Sequence, residues 1–193
     1  MTLLSVNKTR LFVGADCAHF SFLEIIMNNK TRFLTHGAVL AALYVALTHL
    51  QNFLLPGSAS WAIQFRASEA LCVLALFTPA AIPGLTVGCF LFNLSFSAAL
   101  PLDWLVGSIA TFLAVGSMYL LRNVRIKNYP LPALLMPALF NAVLVGWELA
   151  FYIGGGFWLN ALYVAIGEAA VLLTLGSALF YTLRKIDKQR KLW

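Results

Sequence analysis

Charged residues are scarce in this sequence. They make up 10% of its 193 residues, whereas 61% of the residues are hydrophobic. A soluble domain carries about 25% charged residues, so this chain lacks the polar surface that a soluble protein presents to water. The scarcity excludes a soluble domain and predicts an integral membrane protein.

Motifs of common catalytic and nucleotide-binding sites are also missing. The chain has no GxxxxGK[ST] loop for ATP phosphates, no HExxH helix and no GxSxG turn. Its three cysteines, Cys17, Cys72 and Cys89, show no metal-binding spacing, and its three histidines are scattered. We therefore expect no metal, no cofactor and no enzymatic activity. The lack of an internal repeat argues against an inverted-repeat transporter.

The amino-terminal residues do not resemble a signal peptide, because Asp16 and Glu24 interrupt the apolar run. We predict an amino-terminal extension at 1–29, with Met27 as an alternative translation start, and a membrane domain at 30–193.

What the sequence does have is long apolar segments, and the fold class predicted from them is all-α. About 20 apolar residues cross a bilayer, and six such spans can be drawn in one compact bundle. Their predicted bounds are 34–50, 61–78, 84–100, 102–121, 133–153 and 160–183.

The basic residues lie between these spans, not in one patch, which argues against a nucleic-acid partner. The segments NKTR, RNVRIK and RKIDKQRK all fall on one side of a six-span chain. Because cytoplasmic loops are rich in Lys and Arg, both termini are predicted to be cytoplasmic. The predicted location is the plasma membrane. Arg66 and Glu69 then lie near the outer side.

A few polar residues remain inside the predicted spans, and such residues by default suggest a functional site. Asn141 and Glu148 are seven residues apart and share one helix face, while Glu168 stands alone in the last span. The other candidate ligand contacts are Asn93, Trp147, Arg66 and Glu69.

Each of these residues also has a simpler interpretation. Arg66 and Glu69 can neutralise each other at the rim of the bundle, and Glu148 can extend to the nearby interface. Asn93 and Asn141 can form links between helices. Trp147, like Trp61, Trp104 and Trp158, can anchor the protein at the membrane interface.

If the polar residues do form a pocket, they suit a flat ligand that is rich in N–H donors. Two neighbouring donors on a guanine-like edge can be accepted by one carboxylate, and an attached amine would add a second reason for carboxylates.

The first span carries alanines at four-residue intervals, namely Ala38, Ala42 and Ala46. Small residues at this spacing let another helix approach closely in lipid. They predict an interface with a partner helix, or else close packing inside this bundle.

Four stretches resemble the queuosine-precursor transporter (QueT) family, and the resemblance covers residues 30–183. The stretches are IQFRASEAL, FTPAAIPGLTVGCFLFNL, NAVLVGWEL and YVAIGEAAVLLTLG. Members of that family are S-components, the membrane-embedded substrate-binding subunits of energy-coupling factor (ECF) transporters.

The resemblance implies six helices, a 7-deazaguanine-type substrate that is a precursor of queuosine, and three partner subunits. The partners are a transmembrane coupling subunit, which would meet Ala38, Ala42 and Ala46, and two cytoplasmic ATPases. The resemblance also implies that the loop after the first span and the GGGFW loop act as gates. The alternatives are an S-component for another vitamin-like substrate, a membrane scaffold, and an intramembrane enzyme that uses Glu148 and Glu168.

Overall fold

The structure of the protein is a computed structural model that describes residues 29–56, 65–96 and 99–190. Most of these residues are helical, and none of them forms a β-strand. Backbone contacts divide the chain into two units, with the boundary between Thr35 and His36. The proposed extension, the start at Met27, Trp61 and most of the loop after the first span lie outside the described residues.

The helices follow the predicted segments closely. α1 (Asn29–Leu54) is followed by a 3₁₀ helix (Ala67–Leu76), α2 (Ala81–Ser95) and α3 (Asp103–Leu120). The short α4 (Leu131–Leu134) leads into α5 (Met136–Tyr152). α6 (Phe157–Val171) continues through a π-helical segment (Leu172–Gly176) into α7 (Ser177–Arg190).

Four helical stretches among the described residues are long and apolar enough to cross a membrane. They are Asn29–Leu54, Asp103–Leu120, Leu131–Tyr152 and Phe157–Asp187. The other two, Ala67–Leu76 and Ala81–Ser95, are apolar but shorter. At about 2.0 Å of rise per residue the 3₁₀ helix still extends about 20 Å. The all-helical prediction is confirmed, whereas six complete spans stay a prediction.

Prolines set several helix boundaries. Pro79 lies in the turn between the 3₁₀ helix and α2, and Pro83 lies inside the first turn of α2. The first turn of a helix tolerates proline because its N–H groups have no partner within the helix. α4 and α5 likewise have a proline in their first turns.

Small residues allow α1 and α2 to approach very closely. A Cβ atom on Gly84 would lie 2.6 Å from the carbonyl oxygen of Gly37, and one on Gly88 would lie 2.8 Å from the Cβ of Tyr44. The GLTVG sequence of α2 therefore acts as a GxxxG contact, the type that brings helix backbones together in membranes. Internal packing of α1 uses Gly37 and Ala41, not the predicted alanine stripe.

The remaining helices pack around α3. α5 lies against α3 and α6, and the 3₁₀ helix contacts α2, α3, α6, α7 and the π-helical segment. The 3₁₀ helix is therefore central, and six of its ten residues are buried. Its side chains, with those of α2, α3 and α6, can meet in the interior.

Candidate functional site

The polar residues that the sequence singles out are buried in the bundle. Glu148 is fully buried, Glu69 and Glu168 are 1% exposed, and Asn93, Asn141 and Arg66 are 4–6% exposed. They come from the 3₁₀ helix and the residue before it, α2, α5 and α6. Glu148 therefore does not extend to an exposed interface, and Arg66 and Glu69 do not form an exposed rim. We call these six residues, together with Asp103, the polar cluster.

Glu69 is held by hydrogen bonds at both carboxylate oxygens. The hydroxyl of Tyr44 on α1 donates to Oε1 at 2.6 Å, and the Cys72 thiol donates to Oε2 at 3.2 Å. In a 3₁₀ helix residues three apart lie above one another, which places Cys72 beside Glu69. Arg66 lies within electrostatic range of Glu69.

Tyr44 belongs to a row of hydrogen bonds between α1 and residues 65–69. Thr48 Oγ1 donates to Ser68 Oγ at 2.7 Å, and Gln51 Oε1 accepts from the Ala67 backbone N–H at 2.7 Å. The Gln51 side-chain amide also donates to the Phe65 carbonyl. These α1 residues are three and four positions apart, so they share one face of the helix. We call them the α1 hydrogen-bond row.

Asp103 is a member of the polar cluster that the sequence did not single out as a ligand contact. It is 8% exposed and begins α3, where its Oδ2 accepts the Leu100 backbone N–H at 3.0 Å. The Asn93 side-chain amide donates to the Asp103 carbonyl oxygen at 2.9 Å. The carboxyl groups of Asp103 and Glu148 lie beside each other. The sequence signal was a charge at the start of an apolar span.

Several acceptor atoms in the polar cluster have no hydrogen-bond donor. Among the described residues, Oε1 and Oε2 of Glu148, Oε2 of Glu168 and Oδ1 of Asn93 are buried and unpaired. The Asn141 side-chain amide forms a hydrogen bond with the Glu168 carboxyl group. Glu168 also lies within electrostatic range of Glu69 and Arg66. Buried polar groups are normally hydrogen-bonded, so these oxygens mark places where donors of a bound molecule can be accepted.

The cluster also contains more acidic than basic side chains. It contains four carboxyl groups, those of Glu69, Asp103, Glu148 and Glu168, and one guanidinium, that of Arg66. A buried ion without a partner costs several kcal/mol. A ligand that brings N–H donors or a positive charge relieves this cost, whereas an anionic ligand increases it. No group of three or more His, Cys, Asp or Glu residues in the described ranges is placed to hold a metal ion.

Trp147 is the one predicted ligand contact that the structure does not bring to the polar cluster. Its side chain is 53% exposed and stacks against Phe151. Successive residues of an α-helix point about 100° apart, so the neighbour of the buried Glu148 faces outward. Trp104 and Trp158 are also exposed, at 38% and 83%, which is consistent with the interface role.

The loop before α6 has a backbone that only glycine adopts easily. Gly154, Gly155 and Gly156 all have φ near +85°, at 87°, 83° and 83°. Asn160, a buried residue of α6, donates its side-chain amide to the Gly154 carbonyl at 2.7 Å. Asn160 therefore holds this loop against the first turn of α6.

The alanine stripe of α1 lies on an exposed face. Ala38, Ala42 and Ala46 are all exposed, whereas Gly37, Ala41 and Tyr44 on the same helix are buried. The stripe lines a shallow groove whose other side is formed by α2 residues Val87, Leu91 and Ser95. This face is open to a partner, because the internal packing of α1 uses its other side.

Comparison with known proteins supports the family resemblance. No curated protein and no solved structure matches the chain significantly. The family described as QueT transporter matches residues 34–185, which include every described helix except the ends of α1 and α7. The chain is thus a multi-pass membrane protein that belongs to the QueT transporter family.

Proposed function

We propose that this protein is the S-component of an ECF importer in the plasma membrane, and that it binds a 7-deazaguanine-type precursor of queuosine. The observation that carries the substrate proposal is the unpaired, buried Oε2 of Glu168 beside the Asn141 amide. A buried carboxylate with a free lone pair requires a donor, and the guanine-type edge supplies two adjacent donors. Membership of the QueT family supports the same substrate class.

In this proposal the ligand occupies the polar cluster, and its ring edge faces Glu168 and Asn141. The N–H and amino donors of that edge bind the Glu168 carboxylate, and the neighbouring ring carbonyl accepts from an amide or guanidinium N–H. Burial strengthens these bonds because no water competes for the carboxylate.

The exposed alanine stripe is the proposed contact with the transmembrane coupling subunit. Ala38, Ala42 and Ala46 are small and exposed, which lets a second helix pack closely. ATP hydrolysis then belongs to two cytoplasmic ATPase subunits.

The proposed orientation places both termini in the cytoplasm. The basic 122–127 segment and the end of α7 lie together, because the Arg184 guanidinium donates to the Asn128 carbonyl at 3.2 Å. Their joint positive charge fits the cytoplasmic side. The polar cluster is built near the opposite ends of α2, α3 and α5.

A binding titration tests the proposed function. The purified protein in detergent is titrated with 7-deazaguanine derivatives by calorimetry, in the wild type and in Glu168→Gln. We expect the substitution to weaken binding about ten- to hundredfold, because it removes a charged acceptor from a buried hydrogen bond.

Asp187→Asn is the matched control, because it removes a carboxylate of α7 outside the polar cluster. Its affinity should equal that of the wild type. No binding to any deazaguanine in the wild type would instead favour a different substrate or a scaffold, and equal affinity in Glu168→Gln would remove Glu168 from the site.

A further inference from the structure

An apolar groove of about 340 Å³ lies on the outside of the bundle, between the start of α2 and the second half of α3. We call it the α2–α3 groove. Its α3 residues recur at intervals of three and four, so they share one face of the helix, and most of them are exposed. The residues that line it include Ile82 of α2 and, along α3, Phe112, Leu113, Gly116, Tyr119 and Leu120.

The length of the α2–α3 groove matches one leaflet of a bilayer. From Phe112 to Leu120 it follows α3 for about 12 Å, at 1.5 Å of rise per residue. Half of the hydrocarbon core of a bilayer is about 15 Å thick. Gly116 leaves room midway, because a Cβ atom there would meet nothing within 4 Å. The groove can therefore hold one acyl chain along α3.

An arginine is fixed at the end of this groove. The guanidinium carbon of Arg122 lies 4.0 Å from the centre of the Tyr119 ring, and its Nη1 donates to the Tyr119 carbonyl oxygen at 2.9 Å. Stacking on an aromatic ring holds a guanidinium in one orientation. A guanidinium has five N–H donors, and their planar arrangement suits the oxygens of a phosphate group.

The loop that follows Arg122 adds positive charge in a defined conformation. Ile126 and Tyr129 exchange both backbone hydrogen bonds, at 2.8 and 2.9 Å. Lys127 between them has a positive φ of 50°, as in a tight type I′ turn. Arg125 and Lys127 are exposed, and the sequence from 104 to 147 contains no acidic residue. An anionic group at this end of the groove thus meets basic residues only.

We propose that the α2–α3 groove binds an anionic phospholipid, with one acyl chain along α3 and the phosphate group at Arg122. In the proposed orientation this end of α3 is cytoplasmic, where the leaflet is rich in anionic lipids. A partner helix fits less well, because Phe112, Leu113 and Leu120 are large and closely packed helices need small residues. The inference goes beyond the proposed function, since it involves neither the polar cluster nor the substrate.

Lipid binding to the purified protein tests the site. The protein in detergent, stripped of lipid, is titrated with phosphatidylglycerol or with phosphatidylcholine of the same acyl chains, and bound lipid is measured by native mass spectrometry. The wild type should bind phosphatidylglycerol at least about fivefold more tightly, which is the effect of one basic residue on an anionic lipid. Equal affinity for the two lipids would overturn the proposal.

Three substitutions locate the lipid. Arg122→Gln should remove most of the preference for phosphatidylglycerol. Lys185→Gln is the matched control, because it removes one charge from an exposed position of α7 outside the groove, and it should keep the preference. Gly116→Leu fills the groove and should weaken both lipids severalfold. Thermal unfolding without added lipid shows whether each variant is folded.

Several results would contradict the site. The same loss of preference in Arg122→Gln and Lys185→Gln would mean that surface charge in general attracts the lipid. Unchanged lipid binding in Gly116→Leu would place the acyl chain elsewhere, and reduced co-purification of that variant with the coupling subunit would then assign the groove to a protein partner. Displacement of the lipid by an equal concentration of glycerol phosphate would show a site for the free anion. If a variant does not fold, the wild-type comparisons decide.

Discussion

At the scale of single residues, the hydrogen bond from Tyr44 to Glu69 connects α1 to the polar cluster. The Tyr44 side chain is fully buried and Glu69 is 1% exposed. A carboxylate that already accepts from Tyr44 and Cys72 needs no further donor, which distinguishes Glu69 from Glu148 and Glu168. Glu69 is therefore better suited to holding the cluster in shape than to binding the ligand by itself.

Removing the Tyr44 hydroxyl should destabilise the protein. Tyr44→Phe keeps the ring in place but leaves Oε1 of Glu69 without its donor, at a cost of about 1–3 kcal/mol. Thermal unfolding in detergent measures the effect. Tyr181→Phe is the control, because Tyr181 is 56% exposed, and it should unfold like the wild type. Equal unfolding of both variants would contradict a stabilising role for the bond.

Burial of a polar side chain could be predicted where its residue type was rare in its surroundings. Glu148, Glu168 and Asn141 stand out in apolar spans, and the structure buries all three. Tyr44 and Cys72 do not stand out, because tyrosine and cysteine are ordinary members of an apolar helix. Trp147 was a candidate contact as an aromatic side chain near the predicted outer boundary, but adjacent helical residues face different directions, and Trp147 is exposed where Glu148 is buried.

At the scale of elements, the close contact between α1 and α2 depends on Gly84. Gly84→Ala places a methyl group 2.6 Å from the Gly37 carbonyl oxygen, a distance that requires the helices to separate. We expect a loss of about 1–3 kcal/mol in the free energy of unfolding, as for overpacked cores.

The control for Gly84→Ala is Gly116→Ala in α3. A Cβ atom on Gly116 meets nothing within 4 Å, so this variant should be unchanged or more stable by up to about 1 kcal/mol from helix propensity. Denaturant or thermal unfolding of the two variants side by side checks the difference. Destabilisation of both to the same degree would show that the α1–α2 contact is not the cause.

The glycine loop before α6 gives a second prediction at this scale. Gly155→Ala introduces a side chain at φ +83°, where L-residues pay about 1–2 kcal/mol. The nearest atoms, on the Asn160 side chain, are 3.9 Å away, so the cost is conformational and not steric. We expect the free energy of unfolding, measured by thermal unfolding, to fall by that amount. An unchanged stability would mean that the loop readily adopts another conformation.

The type of the second helical element was not predictable from the sequence. The segment ASEALCVLAL is itself apolar on nearly all sides, so its hydropathy pattern does not distinguish a 3₁₀ helix from an α-helix. The missed close contact of GLTVG with α1 was visible as a GxxxG spacing. The alanine stripe of α1 has the same four-residue spacing of small residues, but the structure leaves that stripe exposed.

At the scale of the whole molecule, the exposed alanine stripe and the polar cluster belong to different faces of the bundle. Ala42→Leu places a larger side chain in the groove and leaves the residues of the polar cluster unchanged. If the stripe is the interface, this variant should co-purify less with the coupling subunit and retain its ligand affinity. Ala170→Leu, at an exposed position of α6, should co-purify normally. Equal co-purification of the two variants would remove the stripe from the interface.

The number of complete spans is a whole-molecule property that stays a prediction. Hydropathy alone predicts six segments of similar length. In the structure, the helices Ala67–Leu76 and Ala81–Ser95 are shorter than the other four helical stretches. Glu69 and Asn93, one from each of these two helices, are buried in the bundle. A helix that is surrounded by other helices can be shorter than the bilayer, because protein groups can hydrogen-bond the backbone N–H and C=O groups at its ends.

The two faces of α1 carry a further consequence. One face holds Glu69 through the α1 hydrogen-bond row, and the opposite face presents the alanine stripe. A partner that binds better to one position of α1 therefore also favours the position of Glu69 that goes with it, because Tyr44 connects the two. Thermodynamic reciprocity requires that the ligand alter partner affinity by the same factor by which the partner alters ligand affinity. α1 would thus transmit the occupancy of the polar cluster to the surface of the protein.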